Sequence, residues 1–192
     1  MLTGADAAPA VVATDLYQSL PQESDSTQVG GGRKLLLFSD SRQDAAFFAH
    51  YLPRTYGLAV QRRLILDALA GVNQATTQPS TLVDRITQRA IEARVLDGTD
   101  DLEANRTEVR KWIVREMIST DRRQSLEGVG LANIRPRIPT DWLPPRIFAE
   151  LSDIENLDLV RHLIDSLRLT GIVEAPEGVL LEDEIFAPRN VN

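Results

Sequence analysis

The 192-residue chain contains no cysteine, so disulfides, thiolate zinc sites and cysteine nucleophiles are excluded. Its two histidines, His50 and His162, lie far apart in sequence, and neither belongs to a cluster with metal-ligand spacing. No nucleophile-elbow Gly-x-Ser-x-Gly is present, so a Ser-His-Asp hydrolase built on either histidine is dismissed. Positive charge is in deficit, with a formal net charge of −7 and an isoelectric point near 4.9. That balance argues against a chain that coats nucleic acid by bulk electrostatics and leaves room only for a local basic patch. No apolar run approaches the ~20 residues of a membrane span. Asp6 stands where a signal peptide wants positive charge, so a cytoplasmic protein without membrane contact is expected.

With 43% hydrophobic residues, the chain has material for one medium domain or two small ones. Its most informative stretch is residues 33–49, Arg-Lys-Leu-Leu-Leu-Phe-Ser-Asp-Ser-Arg-Gln-Asp-Ala-Ala-Phe-Phe-Ala. The apolar run 35–38 is short enough for a strand buried on both faces. Ser39, Asp40 and Ser41 form a polar turn, and Ser41 with Asp44 fits a helix capping box. Ala45, Phe48, Ala49 and Leu52 then share one helix face. Strand, polar loop and capped helix make the first half of a βαβ unit, where ligands gather at the carboxyl end of the strand, here residues 39–42.

Residues 35–49 resemble the opening of the second RecA-like domain in superfamily 2 DEAD/DEAH-box helicases, at the segment called motif IV. They are similar in particular to the large bacterial helicases with a C-terminal zinc-binding module, some of them in DNA repair or phage defence. Residues 17–21 and the Leu-Glu-Gly-Val-Gly-Leu run at 126–131 are weaker similarities to the same family. The resemblance implies an α/β chain, mostly α: one buried strand-loop-helix unit of a RecA-like domain, followed by a helical insertion. It implies ATP and magnesium as cofactors of the complete enzyme, with neither held by this chain. The implied partners are nucleic acid, DNA ahead of RNA, and the remaining helicase domains.

In the resembling helicases the loop at Ser39, Ser41, Arg42 and Gln43 lines the groove that takes a nucleic-acid strand. Hydroxyls, amides at a helix amino terminus and a guanidinium suit phosphate oxygens and fix register without reading bases. The residues alone leave another reading open, in which Asp40 and Ser41 cap the helix and Arg42 pairs with Asp44 or meets solvent. Asp40 and Asp44, four residues apart, have no nucleophile or metal partner nearby and read as helix-start acids.

In chain order, residues 1–32 read as an amphipathic helix from Pro9 to Leu20, carrying Val12, Leu16 and Leu20, then a flexible linker. Gly30, Gly31 and Gly32 precede the apolar run instead of following it, unlike a Walker A loop, and so read as linker. Residues 33–56 are the strand-helix unit, with Pro53 expected to break the helix. Residues 57–192 read as a mainly helical insertion. Its expected faces are Val60, Leu64, Ile65, Ala68 and Leu69 up to Gly71; Leu82, Ile86, Ala90, Ile91 and Val95 after a cap at Ser80 or Thr81; and Leu102, Val109, Trp112, Ile113, Met117 and Ile118. Residues 128–134 read as extended. Leu157, Leu159, Val160, Leu163, Ile164, Leu167 and Leu169 form a helical stripe. Residues 171–173 and 179–181 then read as a short hairpin, in the winged-helix order of elements.

Arg135 and Arg137, with Trp142 and Arg146 nearby in a proline-rich segment, are the secondary candidates for nucleic acid. Arginine and tryptophan can stack on unpaired bases, and an ordered proline segment with solvated arginines is the other reading. Arg62, Arg63, Arg122 and Arg123 read as solvated helix ends. The Asn105-Arg106-Thr107 sequon reads as a chance match. ATP hydrolysis needs a phosphate-cradling loop, an acid on magnesium and an arginine at the γ-phosphate. The Gly-Lys-Thr, Asp-Glu-x-His and arginine-finger motifs are all missing from the sequence. Two expectations follow: a helicase fragment or split subunit that is inert alone, or a stand-alone α/β-helical interaction or regulatory module sharing only a local motif.

Overall fold

A computed structural model describes residues 4–23, 28–36, 38, 42–72, 78–99, 101–148 and 150–186, with only the backbone described for helical residues 4–10, 43–48 and 50–53. The chain is mostly helical. Its α-helices are α1 (Gly4–Ser19), α2 (Arg42–Ala70), α3 (Pro79–Glu92), α4 (Leu102–Met117) and α5 (Asp153–Leu169), and no strand occurs among the described residues. The chain divides into two compact units, residues 1–109 and 110–192, with the division inside α4.

In the first unit, α2 packs against α3 and, near its middle, against α1. Leu64, Ile65 and Ala68 of α2 are buried, as are Leu82, Val83, Ile86 and Ala90 of α3. The 3.6-residue period places each set on one face. Pro79 opens α3 at the first helical turn, where a missing amide hydrogen matters least. The expected Ser80 or Thr81 cap is replaced by Gln78, which makes no side-chain cap bond. Thr87, almost fully buried, returns its hydroxyl to the Val83 carbonyl at 2.8 Å. Arg85 donates to the Gly71 carbonyl at 2.8 Å and closes the end of α2.

Pro53 does not end the helix; α2 runs through it for 29 residues. An interior proline costs about 3 kcal/mol. The α1 face also differs from expectation. Val12 and Leu16 are 57% and 48% exposed, while Ala13 is buried. The side chains of Ala45, Phe48 and Leu52, and the capping pair Ser41 and Asp44, lie outside what is described.

The described residues of the expected buried strand at 35–38 show no strand. Residues 33–36 and 38 have no regular structure, Leu36 is 80% exposed and Phe38 94% exposed, and Leu37 lies outside the described residues. A lone strand leaves its ladder groups unpaired, and no described strand stands beside this one.

In the second unit Val114 of α4 and Ile118, just past its end, pack with Val179 and Ile185, joined by Val173 and Phe186. Lys111 pairs with Asp183 at 2.6 Å and ties this returning segment to α4. Val173 and Val179 therefore enter a helical core as loop residues. The hairpin expected at 171–173 and 179–181 is not formed; Val173 and Val179 join the cluster around Val114 and Ile118 without pairing as strands. A complete capping box starts α5: Ser152 and Glu155 satisfy each other's backbone amides. The α5 stripe is less buried than its pattern implied, with Leu163 50% and Leu167 48% exposed, while Asn156 and Arg168 are the buried side chains.

Candidate nucleic-acid interface

Of the primary candidates, Arg42 is the first residue of α2 and is exposed. Gln43 follows in the helix, with its side chain outside what is described. Ser39 and Ser41 lie outside the described residues altogether.

Gly30, Gly31 and Gly32 form an ordered turn in which all three have positive φ, 74°, 64° and 74°, a conformation natural only to glycine. The Gly30 amide donates to the Arg94 carbonyl at 2.8 Å and the Gly31 amide to Gln28 at 2.9 Å, while the Gly31 carbonyl accepts from Glu23 at 3.0 Å. Arg94 itself adopts φ 56° and donates to the Glu23 carbonyl at 2.8 Å. Arg33 donates to the Gly30 carbonyl at 2.9 Å and lies 4.9 Å from the Tyr17 ring centre. Tyr17 in turn meets Tyr56 edge-on at 5.5 Å. A phosphate-binding loop presents free amides ahead of a helix. Here two glycine amides are already committed to carbonyls and no helix follows directly, so the turn does not fit the phosphates of ATP. It is a clasp joining α1, α2 and the end of α3.

The second unit carries a different arrangement. After α4, residues 121–132 fold into a compact loop: Ser125 N–H donates to Asp121 at 3.0 Å, Val129 to Ser125 at 3.0 Å, and both Leu131 and Ala132 to Leu126 at 2.9 and 3.1 Å. Ser125 and Leu126 are buried at its centre. Glu116, buried on α4, accepts the Leu126 amide at 3.0 Å. Glu127 accepts the Ile134 amide at 3.3 Å and pairs with Arg168 at 2.8 Å. Arg168 also pairs with Asp165 at 3.2 Å and donates to the Met117 carbonyl, so its guanidinium stitches α4, the loop and α5 together.

Arg122 and Arg123 lie exposed on this loop, and Arg135 and Arg137 lie exposed on the segment that leaves it. Along that segment exposure alternates: Leu131, Asn133, Arg135 and Arg137 face out, while Ala132, Ile134, Pro136 and Ile138 are half-buried. Of the stretch 128–134 expected to be extended, residues 128–131 belong to the loop. Trp142, half-buried, makes a turn through its amide to the Pro139 carbonyl at 3.1 Å.

Asn105 of the chance sequon is buried, its side-chain amide donating to the Asp97 carbonyl at 2.8 Å. Among the described residues no group of three or more His, Asp or Glu is placed to hold a metal ion. No helix there is long and apolar enough to cross a membrane. Comparison with protein-family models, curated proteins and solved structures found no match.

Arg122 and Arg123, which read from the sequence as helix ends, lie on the loop at residues 121–132, and its anchor Arg168 carries no signal in the sequence. The Gly128 and Gly130 pair beside Glu127 was the available signal for a tight loop.

Proposed function

We propose that the chain is part of an ATP-dependent superfamily 2 helicase or translocase. It contributes the motif IV backbone contacts at Ser39, Ser41, Arg42 and Gln43 and an inserted helical module. ATP and magnesium belong to the other helicase domains, because neither the glycine turn nor any motif of this chain suits them. The observation that carries the reading is the exposure of Leu36 and Phe38, at 80% and 94%, directly before the helix that Arg42 opens. Two large apolar side chains of the run left exposed at that place fit a sheet strand whose neighbouring strands are supplied by another segment. DNA is favoured over RNA as the strand. In the reconstituted enzyme, Arg42→Ala weakens DNA binding about equally across sequences and lowers its salt slope by about one contact. An unchanged slope removes Arg42 from the strand-contact set.

A second reading is a stand-alone interaction or regulatory module. It draws on the half-exposed Leu163, Ile164 and Leu167 of α5, a face suited to a partner helix. Neighbouring reading frames that encode Gly-Lys-Thr and Asp-Glu-x-His motifs favour the helicase; unrelated neighbours and a cooperative monomer favour the module.

A further inference from the structure

We infer that the loop at residues 121–132 and the extended segment after it form a single-stranded nucleic-acid site, with Arg122, Arg123, Arg135 and Arg137 as phosphate contacts and Trp142 as a base-stacking ring. The site belongs to the second unit and does not rest on the helicase reading.

Charge is the first support. Four arginines, Arg122, Arg123, Arg135 and Arg137, lie exposed between Asp121 and Trp142, against the three acids Asp121, Glu127 and Asp141, in a chain whose total is −7. Asp121 and Glu127 are engaged within the loop's own framework, which Glu116 of α4 also holds. Asp121 accepts the Arg123 and Gln124 amides at 2.9 and 3.1 Å, Glu116 the Leu126 amide, and Glu127 the Arg168 guanidinium. The local basic patch that the composition left room for is therefore here.

Geometry is the second. Arg135 and Arg137 are both exposed, with half-buried Pro136 between them, and a two-residue step of strand-like chain spans about 6–7 Å. Successive phosphates along one nucleic-acid strand have a comparable separation. All four outward cations are arginines, whose planar fork grips phosphate oxygens in pairs. Pro136 and Pro139 stiffen the segment, so little chain entropy is lost on binding. Trp142 gives an aromatic surface, which an unpaired base can use and an acidic peptide does not need.

The test uses the full chain and a fluorescent single-stranded DNA of mixed sequence, followed by anisotropy from about 50 to 200 mM salt. The expected slope of log K against log salt is about −2 to −3, or about 0.7 per arginine. Arg135→Ala/Arg137→Ala lowers affinity at least about tenfold and halves the slope, with the thermal transition unchanged because both side chains are exposed. Binding quenches tryptophan fluorescence through Trp142, since the other tryptophan, Trp112, is only 3% exposed. Three results overturn the site: no binding at the lowest salt, affinity and slope unchanged when all four arginines are alanine, or binding without quenching that polyglutamate displaces equally well. Arg42→Ala, measured alongside, reports on the α2 loop separately, so either site can fail without the other.

Discussion

Gly128 backs directly onto the main chain of Arg122: a β-carbon at residue 128 would lie 2.6 Å from the Arg122 Cα and 2.7 Å from the Asp121 carbonyl oxygen. Both obstacles are backbone, so no side-chain rotation relieves the clash. Gly128→Ala is expected to destabilise the second unit by about 2 kcal/mol and lower its melting transition by several degrees. Circular dichroism melts check this, and an unchanged melt means that the loop opens at little cost.

Arg168 holds Glu127, Asp165 and the Met117 carbonyl from an almost fully buried position. Arg168→Met removes the guanidinium from Glu127, Asp165 and that carbonyl and is expected to cost about 3 kcal/mol. Arg168→Lys keeps the charge without the fork and is expected to cost less, about 1–2 kcal/mol. Urea titration of the three proteins gives the order directly.

Two glycines of the first unit should respond in opposite directions. At Gly30 a β-carbon would lie 2.4 Å from the Tyr17 hydroxyl, on a backbone with φ +74°. Gly30→Ala is therefore expected to destabilise by about 1–2 kcal/mol. At Gly57, inside α2, a β-carbon meets nothing within 4 Å, and Gly57→Ala is expected to stabilise by about 0.5–1 kcal/mol. Thermal melts of the pair read both signs in one experiment.

The Asp183 carboxyl titrates below its ordinary value, first because Lys111 hydrogen-bonds to it, then through the Ile185 amide. A lowered folded value means that its stabilisation is present above the unfolded pKa of about 3.9 and is lost as pH falls through the folded value. Asp183→Asn is expected to be less stable than the parent chain by about 1–2 kcal/mol at pH 7. The gap should close in acid, once the parent carboxyl is protonated. Denaturant titrations near neutral pH and below about pH 3 measure the closure.

The legible parts of this fold were those written in local periodicity. Leu82, Ile86 and Ala90 mark α3, and Val109, Trp112 and Ile113 mark α4, because a helix repeats its buried face within its own residues. Pro53 is read differently from the structure because it states only a local preference, and α2 continues through it. Residues 35–38 carry the hydrophobicity of a central strand, but no residue in that run can supply the strand's neighbours. Val173 and Val179 looked like a hairpin because their partners, Val114 and Ile118, lie far upstream. The basic loop was least legible of all. Its shape depends on Glu127 meeting Arg168, a pairing across 41 residues that neither neighbourhood announces.

The most direct measurement of the helicase reading is reconstitution with the chain or domains that carry Gly-Lys-Thr and Asp-Glu-x-His motifs. The expected result is DNA-stimulated ATP hydrolysis only when both partners are present, with this chain inactive alone. Arg42→Ala is expected to raise the DNA concentration needed for stimulation. Robust ATP hydrolysis by this chain alone, or a mixture whose activity is indifferent to its presence, would contradict the reading.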